Sequence, residues 1–359
     1  MLGSRRTVVL GSVVAPMALV ACGGPAPVED TDATAALVPD DAGPIDDWVQ
    51  TGGPVVLLRT PFLGDAAFTL ALEQGWFEEA GIDVETVDAN SPADAFGSIV
   101  AGDIDVAYFA PNGALFAAAE QDAPVRIVAS ASVLDRAGCD YLSIVGTSEA
   151  AERIASGESE RLRGLRIAGS FRSITAERFL SAALASWQTS ADAGLIEVVT
   201  ADNADLAALM AAREIDLAVV YEPYATTLRD TVGAVPVLGA PEVIPNELTS
   251  LYLFSGRLLE DRELGARILA VLLRGEVAYR EGPTDENVAI VAEQTGIEPD
   301  LLRRMCWATF DTDGRRYEGV VEDAQATALA RGDIDAIVPA DRLWDHGFRD
   351  RALELLGRP

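Results

Sequence analysis

Ala101–Pro111 reads AGDIDVAYFAP, and Ala212–Pro223 reads AREIDLAVVYEP. In each stretch a short helix ending in small and charged residues gives way to Ile-Asp, then an apolar run, then a proline. The match continues upstream. Ile82–Val87 (IDVETV) and Leu195–Thr200 (LIEVVT) are strand-like, and each precedes a polar cluster and a helix of about ten residues. The chain therefore spells strand, turn, helix, strand twice. Such units build parallel sheets, and ligands sit on the loops at the carboxyl ends of those strands. The expected fold is α/β, with two lobes facing each other across a cleft. Each lobe is a mainly parallel sheet flanked by helices.

A chain of 359 residues is comfortable for two domains. Residues 1–21 read as an export signal: Arg5-Arg6 opens an apolar, small-residue run too short to span a bilayer. The arginine pair is compatible with the twin-arginine route, and the general route stays open. Leu19-Val20-Ala21-Cys22-Gly23 has the form of a lipobox, which would make Cys22 the lipidated mature N-terminus. An ordinary cleaved signal with an incidental cysteine is the alternative. Residues 22–53 are rich in Pro, Ala, Asp and Gly with few large apolar side chains, and read as a flexible tether.

The formal net charge is −30, and all 27 basic residues are arginine. So negative a surface excludes nucleic acid as a partner, because that affinity depends on cations neutralising phosphates. Beyond Cys22 the cysteines are Cys139 and Cys306. A disulfide between lobes would resist opening, so two free thiols are expected.

Taken in order, Val55–Leu58 is the first strand and Ala66–Ala80 a helix carrying Phe68, Leu72 and Trp76 on one face. The segments ALEQGWFEEAGIDVETV, AGDIDVAYFAP and DAPVRIVASAS, with LRGLRIAG and EIDLAVVYEPY later, resemble the nitrate/sulfonate/taurine/thiamine-precursor family of periplasmic binding proteins. The resemblance covers roughly Val55 to Arg280 and rests on the order and spacing of the five segments. It implies the two-lobed type II binding-protein fold. Lobe 1 would comprise residues 54–133 and 252–359, and lobe 2 residues 134–251. Leu248–Phe254 returns the chain to lobe 1, after which only helices are expected, padding lobe 1. Two crossings make a hinge.

The resemblance also implies a monomeric extracytoplasmic receptor of an ABC importer. It would be held by Cys22 at the outer face of the cytoplasmic membrane and would serve a permease and separate ATPase subunits. Its ligand would be a small organic nitrogen- or sulfur-containing solute of the sulfonate, nitrate or pyrimidine-precursor class. A carboxylate-dependent enzyme and a sensory or adaptor lipoprotein are the alternatives on the same fold.

Candidate ligand contacts come from strand-end loops: Arg59, Thr60, Phe62, Asn90, Phe109, Asn112, Ser130, Ser170, Arg172, Ser173, Tyr221, Glu222 and Tyr224. Arg59 and Arg172 could clamp an anion bidentately. Ser173 opens a helix, where free N–H groups favour negative charge. Phe62, Phe109, Tyr221 and Tyr224 could sandwich a flat ring, with Glu222 accepting from its amino group. Asp105 and Asp216 are equivalent in the two copies, at the entry ends of their strands, and are expected to satisfy backbone N–H groups. Asp311-Thr312-Asp313-Gly314 is half of a calcium loop and reads as a turn.

Catalysis has little to stand on. His346 is the one histidine, and it lies far from every candidate loop. The chain carries no lysine, no Gly-x-Ser-x-Gly and no phosphate-cradling loop. No metal and no cofactor is expected.

Overall fold

The computed structural model describes residues 48–171 and 173–358. The export signal, Cys22, most of the tether and Arg172 lie outside the described residues. The folded body begins earlier than the sequence predicts. The Arg267 guanidinium lies 4.6 Å over the Trp48 ring, and Gln50 Oε1 accepts from the Asp83 N–H at 2.8 Å. Residues 48–53 are therefore docked, because one indole gives this segment an apolar anchor that its neighbours lack.

The strands are β1 (Val55–Arg59), β2 (Val84–Asp88), β3 (Val106–Phe109), β4 (Val125–Ser130), β5 (Ser132–Val133) and β6 (Leu142–Gly146). They continue as β7 (Leu165–Gly169), β8 (Ile196–Thr200), β9 (Leu217–Tyr221), β10 (Val235–Gly239), β11 (Leu251–Ser255) and β12 (Thr309–Phe310). One sheet has the order β2-β1-β3-β11-β4 and a second the order β8-β7-β9-β6-β10. In the first, β1 is parallel to β2 and β3, while β11 runs antiparallel between β3 and β4. In the second, β7 is parallel to β8 and β9, while β6 runs antiparallel between β9 and β10. The two topologies are the same. In each, the single reversed strand is the one on which the chain arrives from the other sheet.

The repeated Ile-Asp carries the same bonds in both sheets. Asp105 Oδ2 accepts from the Val56 N–H at 2.9 Å, and Asp216 Oδ2 accepts from the Arg166 N–H at 2.8 Å. Their own N–H groups donate to the carbonyls of Val56 and Arg166. Each aspartate thus ties the entry end of one strand to its parallel neighbour, where a half-buried N–H would otherwise lack a partner.

Helix Arg262–Arg280 runs beneath the first sheet with Leu264, Ile268, Leu269 and Leu272 buried, packing on helices Ala66–Glu73 and Gly347–Leu355. Each such leucine contributes roughly 1.5–3 kcal/mol. Gly275 permits the contact, since a Cβ there would stand 2.1 Å from the Ala67 carbonyl oxygen. The helix expected over 66–80 is two helices, Ala66–Glu73 and Trp76–Glu79, because Gly75 adopts φ 71° and reverses the backbone between them.

Both crossings run together. Residues 131–134 exchange backbone hydrogen bonds with residues 246–250, and Val133 bridges Leu248 antiparallel. A third segment joins them: β12 pairs antiparallel with β5. The sequence expectation of helices alone after β11 is corrected there, since a two-residue strand leaves no periodic signal. The C-terminal helices also do more than pad the first sheet. Helix Glu318–Arg331 reaches helix Ile174–Ser186 through Arg178–Asp323 at 3.2 Å and Arg331–Glu177 at 3.1 Å. On the other flank Arg304 pairs with Asp230 at 2.6 Å.

Cys139 and Cys306 are bonded, with Cα atoms 5.7 Å apart, which corrects the expectation of free thiols. The objection to a bridge assumed that it would cross the mouth of the cleft. Cys306 instead lies just before β12, and Gly138 stands against Thr309, so the bond sits beside the crossings. Relative displacement on opening is least there.

Candidate ligand-binding cleft

Hydroxyl groups gather where the ends of the strands meet the crossings. Tyr108, on β3, shares a hydrogen bond with Ser132 Oγ at 2.8 Å. Ser132 Oγ in turn meets Ser250 Oγ at 2.6 Å and Thr249 Oγ1. From the second sheet, Tyr221 ends β9 with its hydroxyl 3.4 Å from Ser173 Oγ, and its ring packs 5.6 Å from that of Tyr141. Gly64 makes room for the Tyr108 ring, because a Cβ there would lie 2.1 Å from Cε1.

Burial of the phenol oxygens pushes Tyr221 up to about 12 and raises Tyr108 and Tyr141 further. After burial, the nearby Tyr141 also raises Tyr108, across the line between the two sheets, while Tyr141 itself is raised by burial and by Tyr221 and Glu222. All three stay neutral at physiological pH. They offer donors, acceptors and ring faces without charge.

Of the charged candidates, the two that are described, Arg59 and Glu222, are paired. Arg59 Nε and Nη2 donate to the two carboxylate oxygens of Asp88 at 2.7 and 3.1 Å. That contact holds the Asp88 carboxyl below its usual range. Glu222 is 4% exposed, and Pro223 follows it through a cis peptide bond. Its carboxylate accepts from Thr226 N–H at 3.0 Å, Thr226 Oγ1 at 2.9 Å, Arg229 at 3.3 Å and Cys306 N–H at 3.5 Å. It is engaged by the start of helix Tyr224–Val232 and stays near enough to Tyr141 to oppose ionisation of that phenol. The sequence pointed to Glu222 because it ends a buried strand and begins a helix; its carboxylate is held by Thr226, Arg229 and the Cys306 N–H.

The uncharged candidates divide. Ser173 and Tyr221 are at the cluster. Thr60 donates its N–H and Oγ1 to Asp65 at 2.6 and 2.5 Å, and Asp65 is 1% exposed. Burial drives the Asp65 carboxyl up to about 7 against those two donors. Phe109 is core, packed 5.2 Å from Phe96. Asn112 caps helix Gly113–Glu120, and Ser130 Oγ donates to Asp311 at 3.0 Å. Asp311 also accepts from Arg315, so the half calcium loop is a turn tied down by its own arginine. Phe62 and Tyr224 are exposed, Ser170 is half-buried at the end of β7, and Asn90 lines a cavity away from the cluster. Arg172 is outside the described residues.

Sequence reading missed Tyr108, Tyr141 and Thr249 as cleft residues. Tyr108 and Tyr141 are rings just before or within apolar runs, where they read as core. Thr249-Ser250 was the better signal, two hydroxyls opening an otherwise apolar crossing strand. Among the described residues no group of three or more His, Cys, Asp and Glu side chains could hold a metal ion, and no helix is long and apolar enough to cross a membrane.

The family model of the NMT1-like family matches residues 60–292. No curated protein matches the chain in sequence. Among solved structures the chain is similar to the periplasmic aliphatic sulphonate binding protein SsuA from Escherichia coli. The TM-score is 0.67 at 15% identity, covering 82% of this chain and 93% of that one. It is similar to the periplasmic nitrate-binding protein NrtA from Synechocystis PCC 6803, with TM-score 0.64 and 12% identity over 87% and 91% of the two chains. It is also similar to the desulfurization enzyme DSZB, with TM-score 0.59 and 15% identity over 84% and 99%. At such identities the likeness is one of fold: a two-lobed periplasmic-binding-protein architecture.

Proposed function

The chain belongs to the NMT1-like family, and from that premise we propose that it is the extracytoplasmic solute receptor of an ABC importer. In this reading Cys22 is lipidated and residues from 22 into the forties tether the body to the outer face of the cytoplasmic membrane. Residues 54–133 with 252–359 form lobe 1 and residues 134–251 form lobe 2. The protein works as a monomer and delivers its load to a permease driven by separate ATPase subunits.

The observation that carries the reading is the meeting of Tyr108, Tyr141, Tyr221 and Ser173 with Ser132 and Thr249 of the crossings. A ligand touching all of them would contact both lobes and the hinge, which is what couples binding to closure. The solute is a small organic nitrogen- or sulfur-containing compound. With Arg59 and Glu222 already paired, the described lining favours a flat, uncharged heterocycle that stacks on tyrosine and bonds to hydroxyls, ahead of a sulfonate or nitrate.

Native mass spectrometry of the purified protein for a retained ligand, followed by thermal-shift screening of pyrimidines, sulfonates and nitrate, tests this. Any solute that binds only the folded state raises the melting temperature by mass action. Tyr221→Ala should abolish the shift given by the best solute. An unaltered shift in that variant removes the cluster from the site. The similarity to DSZB makes an enzyme the second reading, and product formed from the bound solute would replace the receptor by it.

A further inference from the structure

A cavity of about 390 Å³ opens on the flank of the second sheet, between β6, β10 and helix Tyr224–Val232 on one side and residues 304–306 on the other. Its volume is that of a small-molecule pocket. The Cys139–Cys306 disulfide forms part of its wall. Cys139 is exposed and Cys306 half-buried, and neither belongs to a helix or strand. An incoming thiol therefore reaches the bond without any element of the fold having to open.

The charges on the wall mostly compensate one another. Glu222 is paired with Arg229 at 3.3 Å, and Arg304 with Asp230 at 2.6 Å. Asp140, exposed and next to Cys139 in the chain, adds a negative charge at this end of the cavity. Pro236 and Leu238 of β10 supply an apolar side.

We propose that this cavity admits a small aminothiol, which exchanges with the disulfide at Cys139. Its ammonium faces Asp140 and its short methylene chain lies on Pro236 and Leu238. Its thiolate attacks Cys139 Sγ, the sulfur of the more exposed residue. A sulfur–sulfur bond to the aminothiol forms as the Cys139–Cys306 bond breaks. The electron pair leaves on Cys306 Sγ, which takes a proton from water. One disulfide replaces another, so no outside oxidant or reductant is consumed, and attack by Cys306 on the adduct reverses the step. Exchange frees the segment before β12 from the connector entering the second sheet. Arg304–Asp230 and the Cys306 N–H on Glu222 then hold that flank. The inference stands on the disulfide and its cavity, independently of the receptor reading.

Thiol exchange on the oxidised full-length protein, without denaturant, decides the matter. Cysteamine serves as the cationic thiol and thioglycolate as an anionic one. Samples are quenched at intervals with an alkylating agent and mapped by peptide mass spectrometry, which keeps Cys22 apart from the pair. The expected product carries the thiol on Cys139 and the alkyl group on Cys306. Asp140→Asn should slow cysteamine and speed thioglycolate, each by about two- to threefold. Asp140 is exposed, so the variant keeps its fold. Glu85→Gln, at an exposed acid on β2 of the other sheet, should alter neither rate. The proposal is overturned by a disulfide that stays intact under conditions that fully exchange the urea-unfolded chain, or by an adduct on Cys306 with Cys139 alkylated. It is also overturned by unaltered rates in Asp140→Asn, or by equal changes in Glu85→Gln, which would mean a general response to an acidic surface.

Discussion

Cys139 and Cys306 are separated by 167 positions and joined by a disulfide that ties the connector entering the second sheet to the segment just before β12. It closes a loop containing the whole second sheet. Beside it Cys306 N–H donates to Glu222 and Arg304 pairs with Asp230, so one flank of the hinge is fastened three ways.

Loop-closure entropy gives such a bond up to about 5 kcal/mol. Cys139→Ser with Cys306→Ser, or reduction of the wild type, should lower the melting temperature by roughly 5–10 °C. Scanning calorimetry with and without reductant checks it. In the serine variant reductant should have no further effect.

Asp65 predicts a pH dependence. Its carboxyl titrates near 3.8 when unfolded and about 7 when folded, because burial disfavours the charge. A folded pKa raised above the unfolded value means the native state holds the extra proton. The stability from Asp65 is complete below pH 3.8 and is lost as pH rises through about 7. Asp65→Asn keeps an acceptor for Thr60 and removes the charge. It should match the wild type near pH 4 and exceed it by roughly 2–4 kcal/mol at pH 8. Urea unfolding of both proteins across that range reads the difference.

Asp105 and Asp216 show how far sequence reaches. Their equivalence was visible in AGDIDVAYFAP and AREIDLAVVYEP, and so was their role at strand entry, because a short acid before an apolar run has backbone N–H groups within reach. The parallel pairing of β1 with β3 and of β7 with β9 followed from the same repeat. The bonds of Glu222 and the disulfide were not legible. Both depend on where the C-terminal segment returns, and β12 is too short to show any periodicity. The cleft tyrosines were hidden for a different reason: a buried phenol in an apolar run has the same sequence signature in a core and in a pocket.

Either aspartate replaced by alanine leaves one half-buried strand N–H without its acceptor. Asp216→Ala, and separately Asp105→Ala, should each cost about 1–3 kcal/mol. Asp105 also pairs with Arg257 at 3.4 Å, so its loss should be the larger of the two. Chemical denaturation measures both. Solute affinity measured on the folded fraction should be unaltered, because both residues lie at the strand ends opposite the cleft.

Arg178 donates to Glu247 at 3.1 Å and to Asp323 at 3.2 Å, joining helix Ile174–Ser186 to the second crossing and to helix Glu318–Arg331. Glu247 is 3% exposed, and burial raises its carboxyl pKa even with the arginine beside it. Arg178→Ala would leave that buried carboxylate unpaired and should destabilise by about 2–4 kcal/mol. Asp323→Ala removes only the exposed partner and should cost under about 1 kcal/mol. The contrast between the two melts identifies the crossing, and not the outer helix, as the partner that matters.

Tyr221 and Glu222 are adjacent in sequence and opposite in consequence. Among the described residues the Tyr221 hydroxyl meets Ser173 at 3.4 Å, so Tyr221→Phe removes one long hydrogen bond and should change the melting temperature little. If a solute bonds to that hydroxyl, its affinity should fall by roughly five- to tenfold. Glu222→Gln keeps the volume but replaces one carboxylate oxygen by a donor. Thr226 N–H, Thr226 Oγ1, Arg229 and Cys306 N–H then compete for a single acceptor. Leaving buried donors unmatched should cost about 1–3 kcal/mol while affinity stays near wild type. Calorimetry and ligand titration on the two variants separate a binding residue from a fold-holding one. A solute that lost affinity in Glu222→Gln, with unchanged melting, would show that the carboxylate turns toward the cleft when occupied.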